Sequence, residues 1–225
     1  MNSIEACVFD AYGTLFDIAS AVHDVLGDID SDMAARVAAD WRQKQLQYTW
    51  ILSMTGQYED FWSITCESLD WALENSRIHD AAQRERILEL YLNIRSYPEV
   101  SDLLAALDGH PSRSAILSNG NRNMLAAALD ATGITGRIDD VFSVEAIRVF
   151  KPDHRVYAMV TDDYALAPDA VLFVSANGWD VAGAGSFGFR TVWINRHNEP
   201  VDRLPHRPDT VMSDLNGIAD ILNAS

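Results

Sequence analysis

Basic residues, cysteines and long apolar runs are all scarce in this chain, and each scarcity excludes something. Only 17 lysines and arginines stand against 33 aspartates and glutamates in 225 residues, a formal net charge of −16. Phosphate contacts need a surplus of cations, so a general nucleic-acid binder is excluded. Adhesion to anionic membrane surfaces is disfavoured for the same reason. An anionic substrate would have to be met by a local cationic patch, because the field of the whole protein opposes it. The two cysteines, Cys7 and Cys66, lack CxxC spacing and cannot build a disulfide framework. A reduced cytoplasmic setting is the simpler expectation. No stretch approaches the roughly 20 apolar residues of a membrane span. The opening MNSIEACVFD has no basic leader region, so a soluble, unexported protein is expected. His23, His79, His110, His154, His197 and His206 show no metal-ligand clustering and read as surface or loop residues. No internal repeat or low-complexity tract is present.

What is present is an alternation. Residues 4–10 form a short apolar run that ends on an acid, with Gly13 close behind, which favours a buried strand over a helix. Similar runs lie at 114–118, 170–174 and 190–194. Helical patterns fall between them at about 99–109, 121–132, 153–164 and 178–187. Strands alternating with helices predict a parallel sheet covered by helices on both faces. In such α/β folds, sites gather at the carboxyl ends of strands. Asp10, Ser118 and Ser175 sit at three of those ends.

The stretch from about 17 to 95 differs. It holds no convincing strand, and apolar residues recur at three and four spacing over 32–52, 59–73 and 81–92. An all-helical insertion is expected there, with Pro98 marking the return to the core. The expected division is 1–16 with 96–225 as the α/β domain, and 17–95 as the insert. The proline-rich stretch 200–208 reads as a surface loop before a last strand and helix.

Four segments carry polar groups at these strand ends. The first is Asp10-Ala11-Tyr12-Gly13-Thr14-Leu15-Phe16-Asp17. A carboxylate at a strand tip before a glycine turn can face a cleft. Taken alone, Asp10 as a turn cap is the plainer explanation. The second, Ser118-Asn119-Gly120-Asn121, could simply start a helix. The third is Lys151-Pro152-Asp153, where proline suits the first helical position. The fourth, Ser175-Ala176-Asn177-Gly178-Trp179-Asp180, opens a helix of small residues.

In order and spacing, these four segments resemble the haloacid dehalogenase superfamily of hydrolases with an aspartate nucleophile. The insert then resembles that superfamily's cap. The resemblance implies a Rossmann-like core with an inserted helical cap domain. Two departures from the superfamily's phosphatases narrow the branch. Phosphatases usually carry a second Asp two residues after the nucleophile, and here that position is Tyr12. A phenol with pKa near about 10 is a poor general acid. Phosphatases also carry a metal-binding Asp where this chain has Ala176, which offers no oxygen ligand for Mg²⁺. A halide leaving group needs neither a proton nor a metal. The strings DAYGTLFD, WRQKQLQYTW (41–50), SNGN, KPDHRVY (151–157) and SANGWD closely resemble the L-2-haloacid dehalogenase branch. One difference is that the branch often has a second Ser where this chain has Ala176.

The resemblance implies a metal-independent, cofactor-free (S)-2-haloacid dehalogenase that forms an ester on Asp10 and yields an (R)-2-hydroxy acid plus halide. Its implied catalytic set is Asp10, Lys151, Asp180, Thr14, Arg42, Ser175 and Asn177. Its implied substrate and halide contacts are Arg42, Ser118, Asn119 and Tyr157, with apolar walls from Tyr12, Leu46, Phe61 and Trp179. A homodimer with a small-molecule substrate is also implied, and the aromatic stretch 48–62 could supply the apolar patch. A phosphatase of the same superfamily, a regulatory protein on a degenerate fold, and a hydrolase opening a small ring acid remain as alternatives.

Overall fold

The computed structural model describes residues 3–26 and 30–224. Positions 1, 2, 27–29 and 225, which belong to the expected core and insert segments, lie outside the described residues.

Six parallel strands form one sheet: β1 (Ala6–Phe9), β4 (Arg113–Ser118), β5 (Asp140–Ser143), β6 (Val171–Ser175), β7 (Arg190–Ile194) and β8 (Thr210–Met212). Their spatial order is β5-β4-β1-β6-β7-β8. Every residue of β1 is buried, as its uninterrupted apolar run requires of a central parallel strand. Phe9 pairs in register with Ile116 on one side and Val174 on the other. The Asp10 amide then donates to the Val174 carbonyl at 2.9 Å. Asp10, Ser118 and Ser175 therefore emerge together at the carboxyl ends of three adjacent strands. The chain runs outward from β1 through β4 to β5, then returns to β6 on the other side of β1. That reversal opens a crevice beyond the strand ends, where α/β folds place ligands.

The flanking helices are α5 (Val100–Leu107), α6 (Arg122–Thr132), α7 (His154–Tyr164), α8 (Gly178–Phe187) and α9 (Ile218–Asn223). Asn121 caps α6 and Asp153 caps α7, each side chain accepting from a first-turn amide. One glycine in α8 is needed for contact. A Cβ at Gly183 would sit 2.5 Å from the Tyr157 hydroxyl and 2.6 Å from Pro152 Cβ, so only glycine lets α8 settle against α7.

Between β1 and β4 the chain makes α1 (Ala19–Leu26), α2 (Ser31–Thr55), α3 (Phe61–Asn75) and α4 (Ala81–Leu92). Helix α2 packs on α3 and α1, and α4 packs on both α1 and α3. Two short strands, β2 (Phe16–Asp17) and β3 (Arg95–Ser96), pair antiparallel where this helical stretch leaves and rejoins the core. From the sequence no strand is expected there. Two residues are too few to show an alternation, and this ladder exists only because the two ends meet in space. Strand β5 is also not expected from the sequence, whereas α1 falls inside the expected helical insert. Three of the four β5 residues escape full burial, so its pattern carries no apolar run. Among the described residues no helix is long and apolar enough to cross a membrane.

Candidate active site

Asp10 lies at the tip of β1, and only 7% of its surface is exposed. Three donors hold its carboxylate. Lys151 Nζ donates to Oδ1 at 3.0 Å. Thr14 Oγ1 and Asn177 Nδ2 donate to Oδ2 at 3.1 and 2.9 Å. Thr14 is brought back toward Asp10 by a tight turn, in which Leu15 and Phe16 donate to the Ala11 carbonyl and Gly13 adopts φ +89°. The Thr14 hydroxyl also accepts from the Ala176 amide at 2.8 Å, which ties the loop after β1 to the loop after β6.

Lys151 is wholly buried between two carboxylates. Its ammonium also donates to Asp180 Oδ2 at 2.8 Å, and it lies 5.0 Å from the centre of the Phe173 ring. Burial pulls the lysine's pKa down, but Asp10 and Asp180 more than offset this and hold it above the ordinary value. Asp180 is equally buried. Burial raises its carboxyl pKa, opposed by Lys151 and by a 2.7 Å hydrogen bond from Tyr157 to Oδ1. The Ser175 hydroxyl completes the set, donating to Asp180 Oδ2 at 3.3 Å and accepting from the Asn177 amide at 3.1 Å. The floor of the site is thus a closed chain of donors and acceptors.

The opposite wall comes from α2. Arg42 donates to Asn177 Oδ1 at 3.2 Å and to Gln45 Oε1 at 2.7 Å. Gln45 is buried, and its amide donates to Thr65 Oγ1 at 2.8 Å and to the Tyr91 hydroxyl at 3.4 Å. The helical segment is fastened to the core elsewhere. Asn121 donates to both oxygens of Asp60, the N-cap of α3, and the Phe150 amide donates to Ser53 Oγ of α2 at 3.0 Å.

The anticipated halide and substrate contacts divide into two groups. Asn119 sits beside the cluster, its Oδ1 accepting from the Lys151 amide at 3.0 Å. Ser118 is buried and its hydroxyl accepts from the Gly120 amide at 3.0 Å. Tyr157 is fully buried behind Asp180, so its hydroxyl serves the carboxylate rather than a cleft wall. Tyr12 stacks on Tyr91 at 5.3 Å, Phe61 packs against Phe150 at 6.0 Å, and Trp179 meets Trp50 edge-on at 5.5 Å. Leu46 is buried in α2.

Two cavities adjoin the cluster. One of about 350 Å³ is lined by Arg42, Gln45, Tyr97, Asn177 and Arg196 among others. The other, about 500 Å³, is lined by Trp50, Ser53, Met54, Phe150, Lys151, Pro152 and Asp153. Asp10 borders neither. It joins the first through Asn177 and the second through Lys151. Tyr12, Leu46, Phe61 and Trp179 also border neither cavity.

Three participants were missed from the sequence: Gln45, Tyr91 and Arg196. Gln45 was findable, since it shares a helical face with Trp41 and Thr49 at four-residue spacing. Arg196 follows the tip of β7, so the strand-end rule applied to a fourth strand would have flagged it. Tyr91 gave no signal apart from ordinary helical burial.

A divalent ion does not fit this donor set. The Lys151 ammonium already fills the space between the two carboxylates, Tyr12 stacks away on Tyr91, and position 176 offers only a methyl group. Burial lifts the Tyr12 hydroxyl well above its usual pKa, with Tyr91 and Asp10 adding to the effect, so it stays a neutral phenol.

Residues 4–188 match the family of haloacid dehalogenase-like hydrolases. (S)-2-haloacid dehalogenase 1 of Pseudomonas sp. (strain CBS-3) is 45% identical over 201 residues, 89% of this chain and 88% of its own. A solved dehalogenase structure with an intermediate complex superposes with a TM-score of 0.93 at 37% identity, covering 99% of this chain and 98% of its own. The L-2-haloacid dehalogenase of Xanthobacter autotrophicus, solved with chloropropionic acid covalently bound, superposes at 0.86 with 35% identity and 98% coverage of both chains. The chain therefore belongs to the haloacid dehalogenase superfamily, in its L-2-haloacid dehalogenase branch.

Proposed function

We propose that this protein hydrolyses (S)-2-haloacids to (R)-2-hydroxy acids and halide through an ester on Asp10. The observation that carries the reading is the state of Asp10: a nearly buried carboxylate, oriented by three donors, with its charge balanced by Lys151. That is an activated nucleophile with little solvation to shed.

In the first step an Asp10 oxygen attacks the α-carbon from the face opposite the halogen. The new C–O bond forms as the carbon–halogen bond breaks, and the halide leaves with the bonding pair. The stereocentre inverts once. In the second step water adds to the Asp10 carboxyl carbon. The ester C–O bond at that carbon breaks, the hydroxy acid departs, and Asp10 is a carboxylate again. One proton is released per halide.

Arg42 supplies a permanent positive charge and several donors at the cap side, suited to the leaving halide and the substrate carboxylate. Asn119 engages its Oδ1 with the Lys151 amide and keeps its NH₂ group for donation to the halide. Ser118 contributes to the carboxylate site. Lys151 balances the charge of Asp10, and Thr14, Ser175 and Asn177 position the carboxylate and the hydrolytic water. Asp180, held by Lys151 and Tyr157, assists that water. Tyr12, Leu46, Phe61 and Trp179 support the site through core and ring packing rather than by lining either cavity.

The helical segment 17–95 acts as a cap over a core of 1–16 and 96–225. The protein works as a cytoplasmic homodimer. The cytoplasmic setting rests on the sparse cysteine usage, and the dimer on the exposed Ile51 and Met54 of α2.

The test is chloride release from L- and D-2-chloropropionate without added metal. Release from the L enantiomer only, unchanged by chelator and lost in Asp10→Asn, is the expected result. Release from neither enantiomer, or chelator-sensitive phosphate release from a phosphoester instead, overturns the reading.

A further inference from the structure

We infer that Arg196 is a positioning residue that joins the base of the helical segment to the loop holding Asp10. The inference rests on the reading of Asp10 as nucleophile, but its geometry stands apart from that reading.

Arg196 follows β7 and reaches across the strand ends. Its Nη2 donates to the Thr14 carbonyl at 2.9 Å, and its Nη1 donates to Glu99 Oε1 at 2.6 Å. The guanidinium carbon lies 3.6 Å from the centre of the Tyr97 ring. The three partners serve two structural duties. Thr14 orients Asp10 through its hydroxyl and binds the Ala176 amide. Tyr97 and Glu99 immediately follow β3, where the helical segment rejoins the core, and the Tyr97 amide donates to the Leu15 carbonyl at 3.0 Å. One planar group therefore grips the nucleophile's loop and the root of the helical segment together. A guanidinium does this with two donors in a fixed fork and a flat face for the ring, and an ammonium has neither.

The orientation has a drawback that favours a role beyond local packing. Arg196 Nε is buried and has no hydrogen-bond partner among the described residues. An unsatisfied buried donor is destabilising. The side chain keeps this orientation because only there do both Nη groups meet Thr14 and Glu99. Arg196 also borders the cavity shared by Arg42 and Asn177, so the coupling runs along the wall of the site.

The experiment compares Arg196→Met and Arg196→Lys with the wild-type chain in two measurements. The first is steady-state chloride release from L-2-chloropropionate. Arg196→Met should lower kcat by about ten- to hundredfold, because a slightly misplaced nucleophile is slow. KM should stay within about twofold, because Arg42 and Asn119 are untouched. Arg196→Lys should recover part of kcat. The second is hydrogen exchange read by mass spectrometry, which needs no activity. Peptides covering 11–17 and 95–100 should exchange faster together in Arg196→Met, while the β4 peptide 113–118 stays protected.

Wild-type kcat with wild-type exchange in Arg196→Met overturns the proposal. So does faster exchange spread over the whole chain, which marks a merely structural residue. A wild-type chain that releases no chloride defeats the dehalogenase reading, while the exchange pattern still decides whether Arg196 couples the two segments.

Discussion

The floor and the roof of the site are built on opposite terms. The floor, Asp10, Lys151, Asp180, Tyr157 and Ser175, is set by two strand tips and the first turns of the helices beside them, and is almost wholly buried. Its charges are paired, and each neighbour is held by another. The roof is one guanidinium on α2, partly exposed and held by two neutral amide oxygens. A buried charge must have partners at fixed distances, because its desolvation is not otherwise repaid. A partly exposed Arg can accept a halide or release it while water takes up the difference. The difference teaches where rigidity belongs: at the proposed nucleophile, whose direction matters, and not at the group proposed to meet a departing anion.

The comparison breaks most completely at Asp10. Asp10→Asn should lower turnover by at least about four orders of magnitude, as removal of a nucleophile does elsewhere. The fold should persist, because the amide oxygen still accepts from Lys151 and the NH₂ group can donate to the Thr14 hydroxyl. Halide assays and the absence of an ester-bearing Asp10 peptide by mass spectrometry check this.

Lys151→Met attacks the floor as a structure as well as a catalyst. Two buried carboxylates then lose their shared cation, and a stability loss of about 3–5 kcal/mol is expected. For a chain of this size that lowers Tm by roughly 10 °C, which calorimetry reads directly. The pH dependence has a definite sign. Lys151 is raised above the ordinary lysine value of 10.5 in the folded protein. Its contribution is therefore fully present below pH 10.5 and is lost as pH rises through the folded value. The stability gap between wild type and Lys151→Met should be flat at neutral pH and narrow only in strong alkali. A gap that narrows between pH 6 and 9 contradicts the assignment.

Arg42→Lys tests the roof. Charge is kept and the fork is lost, so kcat/KM should fall by about a hundredfold. Stability should change by less than about 1 kcal/mol, because the side chain is partly solvated. A large Tm loss would erase the contrast drawn above. Tyr157→Phe removes one hydrogen bond to a buried carboxylate, and about 1.5–3 kcal/mol of stability should go with it. The smallest effect is expected at Ala176→Ser. The backbone of residue 176 already does the work there, its amide donating to Thr14 and its carbonyl accepting from Trp193. Activity should stay within about twofold and stability within about 0.5 kcal/mol.

Legibility followed physical locality. Strands β1, β4, β6 and β7 were readable because buried parallel strands are nearly continuous apolar runs. The helices of the insert were readable because their burial recurs at three and four spacing. Strand β5 was not, because most of its residues keep some exposure. The ladder of β2 and β3 was not, because its pairing partners lie far apart in sequence. Most of the floor was legible because its residues cluster within four short strings. The role of Tyr157 was not. Its hydroxyl faces Asp180 only because Gly183 leaves room for it.

The sequence by itself determined the sheet, the helical insert, the acid at the tip of the first strand and the lack of carboxylates at positions 12 and 176. These follow from patterns of two to eight neighbouring residues. It also posed a conflict, since a net charge of −16 opposes a small carboxylate substrate. Only the tertiary structure decided how the few cations are deployed. It buried Lys151 between two acids, where its charge is balanced and spent on Asp10. It placed Arg42 above them on α2, with neutral partners that leave its charge uncompensated. It turned Arg196 onto Thr14 and Glu99. The physical reason is that charge acts through distance and solvent exposure, and neither is written in the order of residues along a chain.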